Sequence, residues 1–225
     1  MPNWCYNHIT IYSENREDII KLTEFLQKTS DENPVENGFG GGWLGNLLYN
    51  IGLDWKSIRC RGHIIEDPDP ELIPIEPISC DYGDIYDISI QTETAWSPHI
   101  EFWETFLEEF NKKNLTDLEF VDVSEEPGEP IYINTDVKHV FYEEKYHFYA
   151  SFNGEKEELY EEYYTSYTDL IEGINKWLSN NDLDIRAYIN EDIKDIEKRI
   201  GCWLNDKVDW SEFSIDEYEE VDICQ

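Results

Sequence analysis

An α+β fold on an antiparallel sheet is what this sequence predicts, and a single strand-helix-strand unit carries most of the prediction. Residues 87–94, Asp-Ile-Ser-Ile-Gln-Thr-Glu-Thr, alternate apolar and polar with the period of a half-buried strand. From His99 to Lys113, the residues Ile100, Phe102, Trp103, Phe106, Leu107 and Phe110 fall at three- and four-residue steps. They make one apolar helix face and leave Glu101, Glu104, Glu108 and Glu109 outside it. Residues 118–123, Leu-Glu-Phe-Val-Asp-Val, alternate again as a returning strand. Between strand and helix, Ser97 suits an N-cap and Pro98 the first helical position, where its missing N–H is no loss.

The remaining elements extend this pattern. Cys5 to Tyr12 reads as a first strand with Ile9 and Ile11 on one face. Arg16 to Lys28 reads as a helix with Ile19, Ile20, Leu22, Phe25 and Leu26 inward, capped by Ser13 or Asn15. Residues 29–42 are polar and glycine-rich and read as a loop, and 43–51 as a short apolar helix. Trp55 to Ile65 alternates weakly and is expected to be a strand. The four prolines of 66–77 exclude a regular element there. Ser124 to Pro130 is a turn. Ile131–Asn134, Tyr146–Phe152 and Val140–Tyr142 are candidate strands, with Asn153-Gly154 a turn signal. Ser166–Leu178 and Asp192–Leu204 each carry a helical apolar face. Ser211 to Gln225 reads as an acidic docking segment or a frayed tail.

Over residues 5–123 the order is strand, helix, strand, strand, helix, strand once an insertion at about 30–54 is set aside. That is the split βαβ, or ferredoxin-like, arrangement, with both helices on one face of the sheet. The expected organisation is a ferredoxin-like domain over 1–136. An acidic extension of strands, two helices and a tail over 137–225 is expected to pack on it.

Charge bounds the function. The 225 residues hold 17 basic and 51 acidic side chains, a net of −34. Phosphate-backbone binding needs a basic footprint, and an anionic membrane repels such a chain. No N-terminal basic and apolar segment marks secretion. Five scattered cysteines then read as free thiols in a reducing cytoplasm, which the mobile-element resemblance described next would make that of a bacterial host.

Met1-Pro2-Asn3-Trp4-Cys5-Tyr6-Asn7 is similar to the opening of the YubB-type ferredoxin-like family of phage and plasmid proteins. Asn50-Ile51-Gly52-Leu53-Asp54-Trp55 resembles that family's Asn-Trp-Gly-Thr-Lys-Trp motif, with Ile51 in place of a tryptophan and Leu53-Asp54 in place of Thr-Lys. Thr94-Ala95-Trp96-Ser97-Pro98 resembles its Thr-x-Trp-Ser/Ala-Pro motif, and Glu119 to Gly128 its strand ending in Glu-x-Gly. The likeness extends over about the first 135 residues. It implies a fold and a mobile-element origin, and no reaction.

Several constellations invite chemistry. Cys5-x-x-His8 and Cys60-x-x-His63 have zinc-ligand composition, but a three-residue step along a strand sends its two side chains to opposite faces. No metal or other cofactor is expected. Gly38 to Gly45 lacks the lysine and hydroxyl of a phosphate loop and reads as a flexible loop. Neither Asp81-Tyr82-Gly83-Asp84 nor Glu66-Asp67-Pro68-Asp69 matches a calcium loop. No spacing supports a Cys–His catalytic pair, and no catalytic residue is assigned. Trp4, Trp43, Trp55, Trp96 and Trp103 could form a stacking platform for bases, but such platforms need basic surroundings and the chain is acidic.

Two acidic blocks interleave carboxylates with tyrosines, at 155–164 and 216–222. Together with the net charge, and with the mobile-element origin that the resemblance implies, they point to a non-enzymatic inhibitor from a phage or plasmid that mimics nucleic acid. It would block a basic surface of a bacterial defence protein, such as a CRISPR effector or a restriction enzyme. Glu157, Glu158, Tyr160, Glu161, Glu162, Tyr163, Asp216, Glu217, Tyr218, Glu219 and Glu220 are the expected contact residues. A second reading is a small-molecule or nucleotide-handling domain, or a metal-dependent hydrolase. Its site would lie where Trp55, Trp96 and His99 meet at the end of the sheet.

Overall fold

The computed structural model describes all residues except 1–2, 36–37, 66–75, 81–82, 127, 130, 154–156, 208–210 and 224–225. The Pro-rich 66–75 connection, the Asp81-Tyr82 pair and Gly154 of the turn signal therefore lie outside the described residues. The chain divides into two compact units, Met1–Phe141 with Glu220–Gln225, and Tyr142–Glu219.

In the first unit the strands are β1 (Trp4–Ser13), β2 (Gly62–Ile64), β3 (Ile78–Cys80), β4 (Gly83–Ala95), β5 (Glu119–Glu126) and β6 (Ile131–Asn134). Its helices are α1 (Arg16–Glu32), α2 (Leu44–Asn50) and α3 (Ile100–Asn114). The second unit contains β7 (Tyr146–Asn153), β8 (Glu157–Tyr164), α4 (Tyr167–Asn180), α5 (Ile193–Lys207) and β9 (Ser211–Glu217), and a short β10 (Glu219–Glu220) follows. The α+β class is thus as expected.

The first sheet has seven strands in the order β10-β6-β5-β1-β4-β2, with β3 also beside β4. β1 pairs antiparallel with both β4 and β5, and its register sets Ile9 against Ile90 and Ile11 against Ile88 and Phe120. Partners in register point to the same face. These residues join Ile19, Leu22 and Leu26 of α1, Leu44, Leu47 and Leu48 of α2, and the aromatic stripe of α3 in one core. All three helices therefore cover one face of the sheet. On the other face, Tyr6 and His8 stay exposed, while Tyr12 at the far end packs on Phe141 at 5.2 Å.

Several boundaries differ from expectation, for local reasons. The α3 helix begins at Ile100 with His99 as its N-cap, two residues after the predicted start. Ser97 does not cap, because its Oγ accepts from Arg59 Nη1 at 2.9 Å. The His99 carbonyl instead accepts from Phe102 N at 3.0 Å. The strand expected over 55–65 shrinks to Gly62–Ile64 because Asp54 folds the chain into a turn: its side chain accepts from Lys56 N and its carbonyl from Ser57 N. The α1 helix runs four residues past Lys28 into the expected loop and stops at Asn33, whose φ of 42° closes it in a left-handed cap. Asn15 caps its other end by accepting from Glu17 N. Residues 140–142 form no strand.

The second unit is a three-stranded sheet, β8-β7-β9, under two helices. Phe148, Ala150 and Ile215 from the strands meet Leu170, Ile174 and Trp177 of α4 and Ile196, Ile200 and Leu204 of α5. Residues 211–217, read from sequence as a docking segment or frayed tail, form the strand β9, with Ile215 buried against this core.

Candidate functional site

The acidic blocks fold into strands, and strand alternation divides them. On β8, Tyr160 and Tyr164 turn toward the helices, with their hydroxyls 3.1 Å apart. Glu161 and Tyr163 turn the other way. There Tyr163 stacks on His147 at 4.8 Å between ring centroids, and Glu161 Oε1 lies 3.0 Å from His147 Nε2. Asp216, from β9, sits on the opposite side of the same imidazole at 3.6 Å from Nδ1. The register requires this, because His147 pairs with Tyr163 on one side and with Asp216 on the other.

Of the expected contact residues, Glu161, Glu162, Tyr163, Glu217, Glu219 and Glu220 are exposed. Glu220 also reaches His139 at 3.4 Å. Tyr218 is buried and Tyr160 packs against the core, so neither supplies the apolar contact expected of it. Asp216 is half-buried beside His147. Glu157 and Glu158 fall on β8, but their side chains lie outside the described residues.

Nor is the acidity confined to this unit. Residues 142–219 hold 21 acidic and 8 basic side chains, a net of −13, and the first unit carries the remaining −21. Per residue the two are nearly alike.

The first unit concentrates its polar chemistry at the end of the sheet where β1 begins and β4 and β5 finish. Asn7, 4 % exposed, reaches the hydroxyls of Thr92 and Thr94 at 3.0 Å each. Ser124 Oγ lies 2.9 Å from Asn7 Oδ1 and 2.7 Å from Asp122 Oδ1, and its one proton serves them in turn. Thr94 Oγ1 continues the chain to the Ser97 carbonyl at 2.9 Å. Three of the four motifs quoted above, those around Asn3–Asn7, Thr94–Pro98 and Glu126–Gly128, meet here. A Cβ on Gly128 would stand 2.9 Å from Glu126 Oε1 and 3.1 Å from Asn3 Nδ2.

Two acids in this network are buried with an unpartnered oxygen, Asp122 Oδ2 and Glu126 Oε2. Burial pushes Asp122 up to about 7, against the smaller opposing effect of the Ser124 bond. The Cys5 thiol is pushed up to about 12, by burial and then by the charge of Asp122, and burial takes Cys60 to about 11. Neither thiol is poised as a nucleophile near neutral pH. Among the described residues no group of three His, Cys, Asp or Glu side chains is placed to hold a metal. Cys5 and Cys60 instead donate to Asn7 Oδ1 and to the Trp55 carbonyl.

His99 is 4 % exposed, and neither ring nitrogen makes a hydrogen bond among the described residues. Burial, and then the nearby Arg59 charge, bring it down to about 4, while the Ala95 carbonyl, outside hydrogen-bond geometry, opposes this slightly. It is a neutral imidazole through the physiological range. Arg59, whose charge acts on His99, bonds the residues on either side of Trp96, donating to Ser97 Oγ at 2.9 Å and to the Ala95 carbonyl at 2.7 Å. Trp96 is 47 % exposed and holds a φ of +76°.

The aromatic residues group along β1, β2 and the preceding loops. Trp4 and His63 have centroids 6.3 Å apart, Phe39 and Trp43 5.6 Å, and Trp43 and Trp55 5.1 Å. Trp43 and Trp103 are core, as expected. Near the others, Lys56, Arg59 and Arg61 are all exposed.

The glycine-rich segment is a built loop. Asn46, fully buried, donates to the carbonyls of Gly40 at 3.0 Å and Gly41 at 2.9 Å and accepts from Val35 N at 3.3 Å. A Cβ on Gly41 would stand 2.1 Å from the Ser30 carbonyl oxygen. Close backbone approach requires glycine there, and no ligand need be invoked.

On the outer face, at the opposite end of the sheet, a cleft of about 260 Å³ is lined by Tyr12, Glu119, Asp136, Lys138 and Phe141 among others. No helix among the described residues is long and apolar enough to cross a membrane. No family model matches this sequence, and no curated protein or solved structure matches it.

Proposed function

We infer that this chain is a non-catalytic acidic inhibitor, carried by a phage or plasmid. It would act in the cytoplasm of the host by occupying a basic nucleic-acid-binding surface of a defence protein, such as a CRISPR effector or restriction enzyme. The observation that carries the reading is the charge. A net of −34, divided as −21 and −13, makes both units polyanionic. The exposed carboxylates of β8, β9 and β10, Glu161, Glu162, Glu217 and Glu219, are the contacts we assign, with Tyr163 beside them.

The strand order β5-β1-β4-β2, joined through α1 and α3 on one face, supports a ferredoxin-like core for the first unit, enlarged by β3, β6 and β10. Such a core would agree with the resemblance to the YubB-type family and with a mobile-element origin.

A pull-down from bacterial lysate tests the reading. The wild-type chain is compared with a variant carrying Glu157→Gln, Glu158→Gln, Glu161→Gln and Glu162→Gln. Capture of a nucleic-acid-binding defence protein by the wild type, lost in the variant and at high salt, is the expected result. Capture of one partner equally by both proteins and at all salt concentrations would refute it.

The second reading, a nucleotide-handling domain, is favoured by one observation, the buried His99 near Arg59, with no hydrogen-bond partner among the described residues.

A further inference from the structure

The first unit has nine basic residues, and three of them, Lys56, Arg59 and Arg61, lie within six positions. Each of the other six has a partner. Lys21 meets Asp18, Lys28 meets Glu32, Lys112 and Lys113 share Glu109, and Arg16 and Lys138 are engaged as well. Lys56, Arg59 and Arg61 are exposed and form no ion pair among the described residues. The unit holds 30 acids, so three cations within six positions and with no ion pair among the described residues stand out against its charge.

The three are presented in different ways. Lys56 Nζ lies 5.4 Å from the centroid of the Trp55 ring. Arg59 is exposed and anchored by two of its five N–H donors, which leaves three for a ligand. The Arg61 carbonyl accepts from Ala95 N at 2.9 Å, so both arginines meet β4 at one residue. Strand alternation puts the Arg61 side chain on the sheet face of His63, Trp4 and Tyr6, turned away from the unit's helices. Glu93, between Tyr6 and His63, and Glu125, beside Tyr6, bound this island.

Trp96 supplies the apolar part. A φ of +76° is costly for a bulky residue, and the Trp96 backbone is held there by its N–H to the Asn3 carbonyl at 3.0 Å. The result is an indole displayed beside a fixed guanidinium. Near Arg59 is the buried His99, whose two nitrogens have no hydrogen-bond partner among the described residues.

We propose that this end of the first sheet binds a single nucleotide, its base stacked on Trp96 and its phosphate held by Arg59 and Arg61. An aromatic plane paired with a planar, multi-donor cation is the chemistry that recognises a base and a phosphate together. The size of the island sets the size of the ligand. The field of a charge is screened within about 8 Å at physiological salt, so the three cations govern a single phosphate locally. A longer strand would run off the island onto acidic surface. The proposal deepens the second, nucleotide-handling reading and rests on it; it does not depend on the inhibitor reading, since the acids assigned there lie on other strands.

Calorimetric titration of the full chain tests it. The probes are the four ribonucleoside monophosphates, adenosine, inorganic phosphate and a ten-nucleotide single strand, in about 0.1 M salt. The expected result is binding of at least one monophosphate, more tightly than adenosine or phosphate alone. Arg61→Gln and Trp96→Gly are each expected to weaken it about tenfold or more. Both variants should keep the wild-type thermal midpoint, because the Arg61 side chain is exposed with no ion pair among the described residues and glycine relieves the positive φ. Absence of binding by every monophosphate overturns the proposal. So does unchanged affinity in both variants, or binding of the single strand alone.

Discussion

Asp122 and His99 are expected to pull the stability of the first unit in opposite directions as pH changes. Asp122 is fully buried and titrates near 7, against an unfolded value of about 3.9. Its raised value means that the native state holds the proton longer than the unfolded chain. The stability this contributes is complete below about pH 4 and lost as pH rises through 7. Three pH units at 1.36 kcal/mol each give at most about 4 kcal/mol. His99 runs the other way. Its value falls from 6.5 to about 4, so its contribution is present above 6.5 and lost as pH falls toward 4, a matter of about 3 kcal/mol. Between pH 4 and 6.5 the two largely cancel. Asp122→Asn keeps an acceptor for Ser124 Oγ and cannot ionise, so it should unmask the histidine. Relative to the wild type, its stability should rise by about 3 kcal/mol between pH 4.5 and pH 8. Urea unfolding at several pH values, followed by hydrogen exchange at the β1 and β5 amides, measures this in the first unit. A difference between the two proteins that is the same at pH 4.5 and pH 8 would refute the reasoning.

Further outcomes follow from the packing. Asn46→Ala removes the side chain that ties Val35, Gly40 and Gly41 together, and should cost about 2–3 kcal/mol and open the loop to proteolysis, read by melting and limited digestion. Gly173→Ala would place a Cβ 1.9 Å from Tyr164 Oη, and should destabilise the second unit by about 1–3 kcal/mol in denaturant titration. Under native conditions at pH 7.5, Cys202 should be alkylated well before Cys5 and Cys60, as peptide mass spectrometry would show, because it is exposed and they are buried with raised values.

The elements that were clearest in the sequence were those with strong periodicity. Phe102, Trp103, Phe106, Leu107 and Phe110 make the buried stripe of α3, and Ile88 and Ile90 the inward face of β4. Helix starts were less legible. Asn15 and Ser166 cap as short polar residues before an apolar run should, but Ser97 is diverted by Arg59, a partner 38 positions away. The acidic blocks were visible as composition, yet which tyrosines face out depends on strand register, and that turned Tyr160 inward. The basic island was hidden for a different reason. Lys56, Arg59 and Arg61 are adjacent in sequence, but weighing them against a net of −34 averages away what Asp54's turn and the β2–β4 pairing hold together locally.

Electrostatic occupation of a basic groove is tested most directly by competition. Once a nucleic-acid-binding partner has been captured, a labelled DNA duplex bound to it is titrated with this protein between about 50 and 500 mM salt. Full displacement of the DNA, with an apparent affinity that falls about tenfold or more over that range, is the predicted result. A ternary complex in which DNA stays bound, or an affinity indifferent to salt, would contradict it.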